Sequence, residues 1–207
     1  LGGWWSSVTD WTLPETPKFD SALGRSRADL GVFSGNNGGV GMDARLARLG
    51  SGPWATPSSA GWAAITSTVD PKKVDLSGLT GIEFKLRTDL SPGLKGVTIK
   101  AISPKTGYYD AYYATIPKPA AQGAEQTVCV GIDDLRAAAN PSHGRLATYS
   151  SDILDALAWE VKIDDADVPA ATAKVRVSDI RLWGAKAPGG QSGRPSRGRF
   201  VGGLIKR

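Results

Sequence analysis

The chain has 207 residues, a formal net charge of +5, 26 glycines, 13 prolines and one cysteine. That length supports one good-sized core, the lone Cys129 excludes an intrachain disulfide, and no apolar run approaches the roughly 18 residues of a membrane-spanning helix. Residues 185–207 hold six basic side chains and no acid; taking those six from 25 leaves 19 basic against 20 acidic residues in the body, which argues against a basic, nucleic-acid-binding fold surface.

Trp4, Trp5 and Trp11 crowd the first residues. A terminus so rich in rings packs down, each ring burying on the order of 200 Å², and residues 1–30 read as a Trp-rich N-terminal extension. Residues 13–28, interrupted by Pro14 and Pro17, read as loop or irregular edge. The stretch 31–43, GVFSGNNGGVGMD, has neither the GxxxxGK[ST] spacing of a phosphate loop nor the GxGxxG fingerprint of a dinucleotide site. It reads as a tight turn between two strands, its Asn-Asn-Gly-Gly suited to positive φ. Residues 44–49 continue as strand or turn, and 50–60, with Pro53 and Pro57, form a loop. In 61–69, Trp62, Ala64 and Thr66 alternate against Ala63, Ile65 and Ser67.

The clearest strand lies within 74–89. After the turn cluster Asp75-Leu76-Ser77-Gly78, Ile82, Phe84 and Leu86 fall on one side and Glu83, Lys85 and Arg87 on the other. A period of two residues is a strand with one face buried and one wet. Residues 96–102 repeat the pattern with Val97, Ile99 and Ala101 inward, followed by a hairpin-length connection at 103–107. In 108–116, Tyr109, Ala111 and Tyr113 share one face and Tyr108, Asp110 and Tyr112 the other, so one set of tyrosines is core and the other partly exposed. A Pro/Ala linker, 117–124, leads to a strand at 126–132 with Val128, Val130 and Ile132 inward. A helical turn at 133–139 and a loop at 140–151 with the only histidine, His143, come next. Residues 157–164 alternate Leu157, Trp159, Val161 and Ile163 against Ala158, Glu160, Lys162 and Asp164. In the last strand, 174–183, the phase slips by one between Val177 and Ile180, the mark of a β-bulge. Eight to ten such strands in sequence predict an all-β, antiparallel jelly-roll sandwich over residues 31–184, with extended N- and C-terminal segments. Residues 185–207 form a basic Gly/Pro/Arg-rich tail whose composition predicts disorder in isolation.

Four pieces of this pattern resemble the galactose-binding-like jelly rolls. Asp75-Leu76-Ser77-Gly78 with Gly81-Ile82-Glu83-Phe84 is similar to their D-L-S-G-x-x-G-I-x-F opening. Residues 127–135, TVCVGIDDL, resemble a strand and the turn after it; Glu125-Gln126 stand where that pattern carries a tryptophan. Residues 157–161, LAWEV, resemble the next-to-last strand, and Val177-Ser178-Asp179-Ile180-Arg181-Leu182 the closing D-x-I-x-L strand. Within the superfamily the chain resembles the CIA30-like branch, the complex I intermediate-associated proteins, with carbohydrate-binding modules of the same fold as the neighbouring alternative.

Little catalytic chemistry is visible. His143 sits in a Ser-His-Gly loop away from any nucleophile pattern, and Cys129 lies mid-strand with no basic neighbour in sequence. Asp133/Asp134 and Asp164/Asp165/Asp167 fall at strand ends or turns, where aspartate is favoured for local hydrogen bonds. No catalytic, cofactor or metal site is assigned. A structural calcium ion is a better use of the acids in such a fold, with oxygen ligands from Asp179 and an N-terminal acid such as Asp20 or Asp43.

The CIA30-like resemblance implies a non-catalytic accessory or assembly subunit of a larger organellar membrane complex, respiratory complex I or a photosystem, peripheral to the membrane of a mitochondrion or plastid. It would dock on other protein subunits, and on lipid head groups, by a sheet face and by terminal straps. The strap residues are Trp4 and Trp5 at one end and Arg194, Arg197, Arg199, Phe200, Leu204 and Ile205 at the other. The alternative is a carbohydrate-binding module, with a polysaccharide lyase or hydrolase behind it. Its stacking platform would come from Trp54, Trp62, Tyr108 and Tyr112.

Overall fold

The computed structural model describes residues 2–9, 27–33, 39–47, 61–69, 76, 78–102, 111–136, 154, 156–165 and 167–184, the first two stretches by their backbone. Among them are ten strands: β1 (Gly2–Thr9), β2 (Arg27–Phe33), β3 (Gly39–Ala47), β4 (Trp62–Val69), β5 (Gly81–Leu90), β6 (Gly96–Ile102), β7 (Tyr112–Pro117), β8 (Glu125–Gly131), β9 (Ala156–Lys162) and β10 (Ala170–Trp183), with a 3₁₀ turn at Ile132–Asp134. They pair antiparallel into two five-stranded sheets, β1-β4-β9-β6-β7 and β2-β3-β10-β5-β8. The all-β sandwich predicted from the alternation is therefore the fold.

Each strand turns its apolar phase inward. Ile82, Phe84 and Leu86 of β5, Val97, Ile99 and Ala101 of β6, and Val128 and Val130 of β8 are buried in one shared core, as their spacing predicts. Across the interior the Phe84 ring meets the Trp159 ring edge to face, centroids 5.5 Å apart and planes at 82°, the arrangement the ring quadrupoles favour. The 14-residue β10 is the hub of its sheet, pairing with β3 on one side and β5 on the other. Its register against β5 shifts between Ser178 and Arg181, which is the bulge expected from the slipped phase. Asp179, at that bulge, has φ 49°, a left-handed conformation that aspartate tolerates better than most residues.

The turn cluster at the start of β5 closes one end of this sheet. Leu79 N–H donates to the Leu76 carbonyl at 2.9 Å, Thr80 N–H to that of Trp183 at 2.8 Å, and Ile132 N–H to that of Thr80 at 3.0 Å. A Cβ on Gly184, at φ 79°, would stand 1.9 Å from the Gly78 carbonyl oxygen, so the glycine of the D-L-S-G motif faces a second glycine that the contact also requires.

Two features differ from the sequence reading, one a boundary and one a buried face. Residues 1–30 are not all extension: Gly2–Thr9 is the edge strand β1, paired with β4, and Arg27–Phe33 is the edge strand β2, paired with β3. Adjacent Trp4 and Trp5, and a register shift between Gly2 and Trp5, hide the period of two. Strand β9, the middle strand of its sheet, is buried on both faces from Ala156 to Val161, Glu160 included. Residues 185–207 lie outside the described residues.

Candidate functional site

The two outward faces of the sandwich differ in chemistry. On the β2-β3-β10-β5-β8 sheet the outward residues carry alternating charges that pair with one another. Arg176 meets Asp43 at 2.8 Å, Lys85 meets Glu125 at 3.2 Å and Asp179 at 3.3 Å, and Arg181 meets Glu83 at 3.4 Å. Carboxylates of opposite charge hold the Lys85 ammonium above its ordinary pKa, the hydrogen bond to Glu125 first and that to Asp179 second. Cys129 is half-buried there, its Sγ 3.7 Å from Glu83 Oε2. A depression of about 660 Å³ at one end is lined by Asp43, Arg45, Asp89, Ser91, Thr172 and Lys174, with no aromatic ring among its described lining.

The β1-β4-β9-β6-β7 sheet is different. Antiparallel register sets one row across its outer face: Thr66 opposite Ala158, Ala158 opposite Lys100, Lys100 opposite Tyr113. The row ends at Arg136, which forms an isolated bridge with Tyr113. The next row runs Ala64, Glu160, Thr98 and Thr115. Lys100 Nζ and Glu160 Oε2 stand 2.7 Å apart, with side chains only 13% and 9% exposed. Removing both charges from water costs several kcal/mol each, and the short contact offsets that.

The face has a covered half and an open half. Trp62, Ala64, Ile102, Ala111, Ala156 and Ala158 form a second apolar cluster outside the main core. Toward β7 the face opens: Thr115 and Arg136 are exposed, and Tyr113, 37% exposed, is the large hydrophobic most open to solvent among the described residues. Thr98 and Thr115 bring their hydroxyls to 3.5 Å.

The predicted stacking platform is thus redistributed. Tyr112, named for that platform, is 2% exposed and belongs to the core, and burial raises its phenol pKa. Its neighbour Tyr113 takes the outer position, because Ala114 and Ile116 continue the inward phase of Tyr112. Trp62 is on the expected outer face but 7% exposed. Trp54 and Tyr108 lie outside the described residues, as do His143, Asp20 and the strap residues Arg194, Arg197, Arg199, Phe200, Leu204 and Ile205. Trp4 and Trp5 fall in β1. Asp43 and Asp179 do not converge on a calcium site: Asp43 opposes Lys174, five residues from Asp179 along β10, and each is paired with a cation. No cluster of three or more metal-binding side chains occurs among the described residues. Sequence reading missed Tyr113, the Lys100–Glu160 pair and Arg136. The available signal was the run Tyr112, Ala114, Ile116, extended to the end of the strand.

No family model matches the chain, and no curated protein matches it by sequence. Solved structures do. The family 11 carbohydrate-binding module of a cellulosomal cellulase of Clostridium thermocellum superposes with a TM-score of 0.56 at 14% identity, covering 87% of each chain. A second structure of the family 11 module from the same bacterium, in complex with a β-1,3-1,4-mixed-linked tetrasaccharide, gives a TM-score of 0.55 at 14% identity, covering 87% of this chain and 88% of that one. The likeness bears out the antiparallel β-sandwich fold. At this identity the likeness defines architecture only, and none of these matches supports the CIA30-like branch.

Proposed function

We propose that this chain is a non-catalytic carbohydrate-binding domain that holds a polysaccharide against the open half of the β6–β7 face. The observation that carries the reading is the exposed Tyr113 ring, set on a sheet face among the hydroxyls of Thr98 and Thr115 and the donors of Arg136. A pyranose has an apolar face of C–H groups and a rim of hydroxyls; an aromatic ring matches the first and fixed polar groups the second. The shared fold with modules described as carbohydrate-binding supports the same reading.

A hydrolase on this face would need two carboxylates at a set separation. Among the described residues Glu160 is the one acid in the middle of the face, and it is tied to Lys100. Binding without cleavage is therefore the simpler function. Affinity electrophoresis of the full chain in gels containing mixed-linkage β-glucan, cellulose derivatives, mannan or polyuronate tests it. Retardation by at least one polysaccharide, without release of reducing ends, is expected; migration unchanged in every gel overturns the reading.

A further inference from the structure

We infer that the open half of the face takes an acidic polysaccharide, one bearing carboxylate or sulfate groups, with Tyr113 under a sugar ring and Arg136 on the acid group. This rests on the carbohydrate reading above and narrows its ligand class.

Placement comes from the backbone. Tyr113 N–H donates to the Arg136 carbonyl at 2.8 Å and Arg136 N–H to that of Tyr113 at 2.9 Å. Residues that exchange both bonds are directly opposed, and their side chains leave on the same side, so Arg136 extends the outer face beyond β7. Buried Leu135, whose N–H bonds the Ile132 carbonyl, anchors the segment.

The charges near Tyr113 are unequal in availability. Lys100, opposite Tyr113 on β6, is neutralised by Glu160. Arg136 on the other side is exposed and gives one donor to the Asp133 carbonyl. A guanidinium has five N–H donors, and no carboxylate among the described residues forms an ion pair with Arg136. Of the nearby acids, Asp134 has its carboxylate on the Gly131 amide at 3.0 Å, while Asp133 is exposed and engages Arg136 through its carbonyl. Lys162, on the same face opposite Trp62, is a second exposed cation. A planar guanidinium beside an exposed ring suits a sugar carrying an anionic group, which it binds through two parallel N–H···O bonds.

The basic residues in 185–207 would attract any polyanion, so the experiment must separate the two sources. Isothermal titration at low salt compares polygalacturonate, a sulfated galactan and neutral mixed-linkage β-glucan on four full-length proteins: wild type, Arg136→Gln, Tyr113→Ala, and the triple variant Arg194→Gln/Arg197→Gln/Arg199→Gln. We expect wild type to favour one of the acidic polymers. Arg136→Gln should lower that affinity about tenfold, the loss of one charge-assisted contact, and lower any neutral-glucan binding by less, because only the anionic group loses an ion pair. Tyr113→Ala should lower both, and the triple variant should keep the acidic preference. Preference for the neutral glucan, or acidic binding lost in the triple variant and retained in Arg136→Gln, overturns the inference and leaves the carbohydrate reading standing. Binding to none of the polymers overturns both.

Discussion

Lys100 and Glu160 meet on a diagonal between neighbouring strands: Lys100 opposes Ala158, Glu160 opposes Thr98, and their charged atoms are 2.7 Å apart under substantial cover. Removing one partner leaves the other charge buried. Lys100→Met or Glu160→Gln alone should cost about 3 kcal/mol of unfolding free energy, whereas Lys100→Met with Glu160→Leu should recover much of the loss, as buried pairs replaced by apolar groups do. Chemical denaturation of the three variants measures this. Single variants within about 0.5 kcal/mol of wild type, the scale of an exposed pair, would mean that the pair is solvated.

Tyr112 and Tyr113 are neighbours with opposite duties. Tyr112→Ala opens a cavity in the core and should cost about 3–5 kcal/mol, as for other large-to-small aromatic changes. Tyr113→Ala should change stability by about 0.5 kcal/mol or less, as for exposed positions. Thermal melts of the pair check the assignment of faces; similar losses in both would contradict it.

The bulge makes Asp179 a conformational test. Its positive φ suits Asn, Asp or Gly and penalises β-branched residues by about 1–2 kcal/mol. Asp179→Asn should cost little beyond the contact to Lys85, and Asp179→Val markedly more. Equal melting temperatures for the two variants would argue that residue 179 is not held left-handed.

Alkaline pH should weaken the fold for two reasons. Lys85 lies above its ordinary 10.5 through hydrogen bonds to Glu125 and then Asp179, and Tyr112 above its ordinary 10.0 through burial. Both folded-state values exceed the unfolded ones, so their stabilisation is whole below the unfolded values and is lost as pH rises through the folded values. Melting temperature should fall from about pH 10 upward, and Tyr112→Phe should fall less steeply over that window. A Tyr112→Phe profile parallel to wild type would exclude the phenol as a cause.

The inward phases of β5, β6 and β8 were legible in sequence because a strand with one wet face has to alternate, and the bulge in β10 was legible as a break in that alternation. β1 was hidden by adjacent tryptophans. The outer face was harder to read. Whether Tyr112 or Tyr113 faces out depends on two residues further along the strand. Glu160 looks like a wet-face residue until β9 is known to be central, with β6 supplying Lys100 beside it. Arg136 joins Tyr113 only through a bridge between segments 23 residues apart, and no local pattern announces such a pairing.

Calorimetric titration of wild type and Tyr113→Ala with the polysaccharide that retards the chain most strongly in affinity gels is the most direct measurement. Saturable binding by wild type, weakened at least about tenfold (about 1.4 kcal/mol) in Tyr113→Ala at unchanged melting temperature, is the expected result. Equal affinity in the two proteins would contradict a binding face centred on Tyr113.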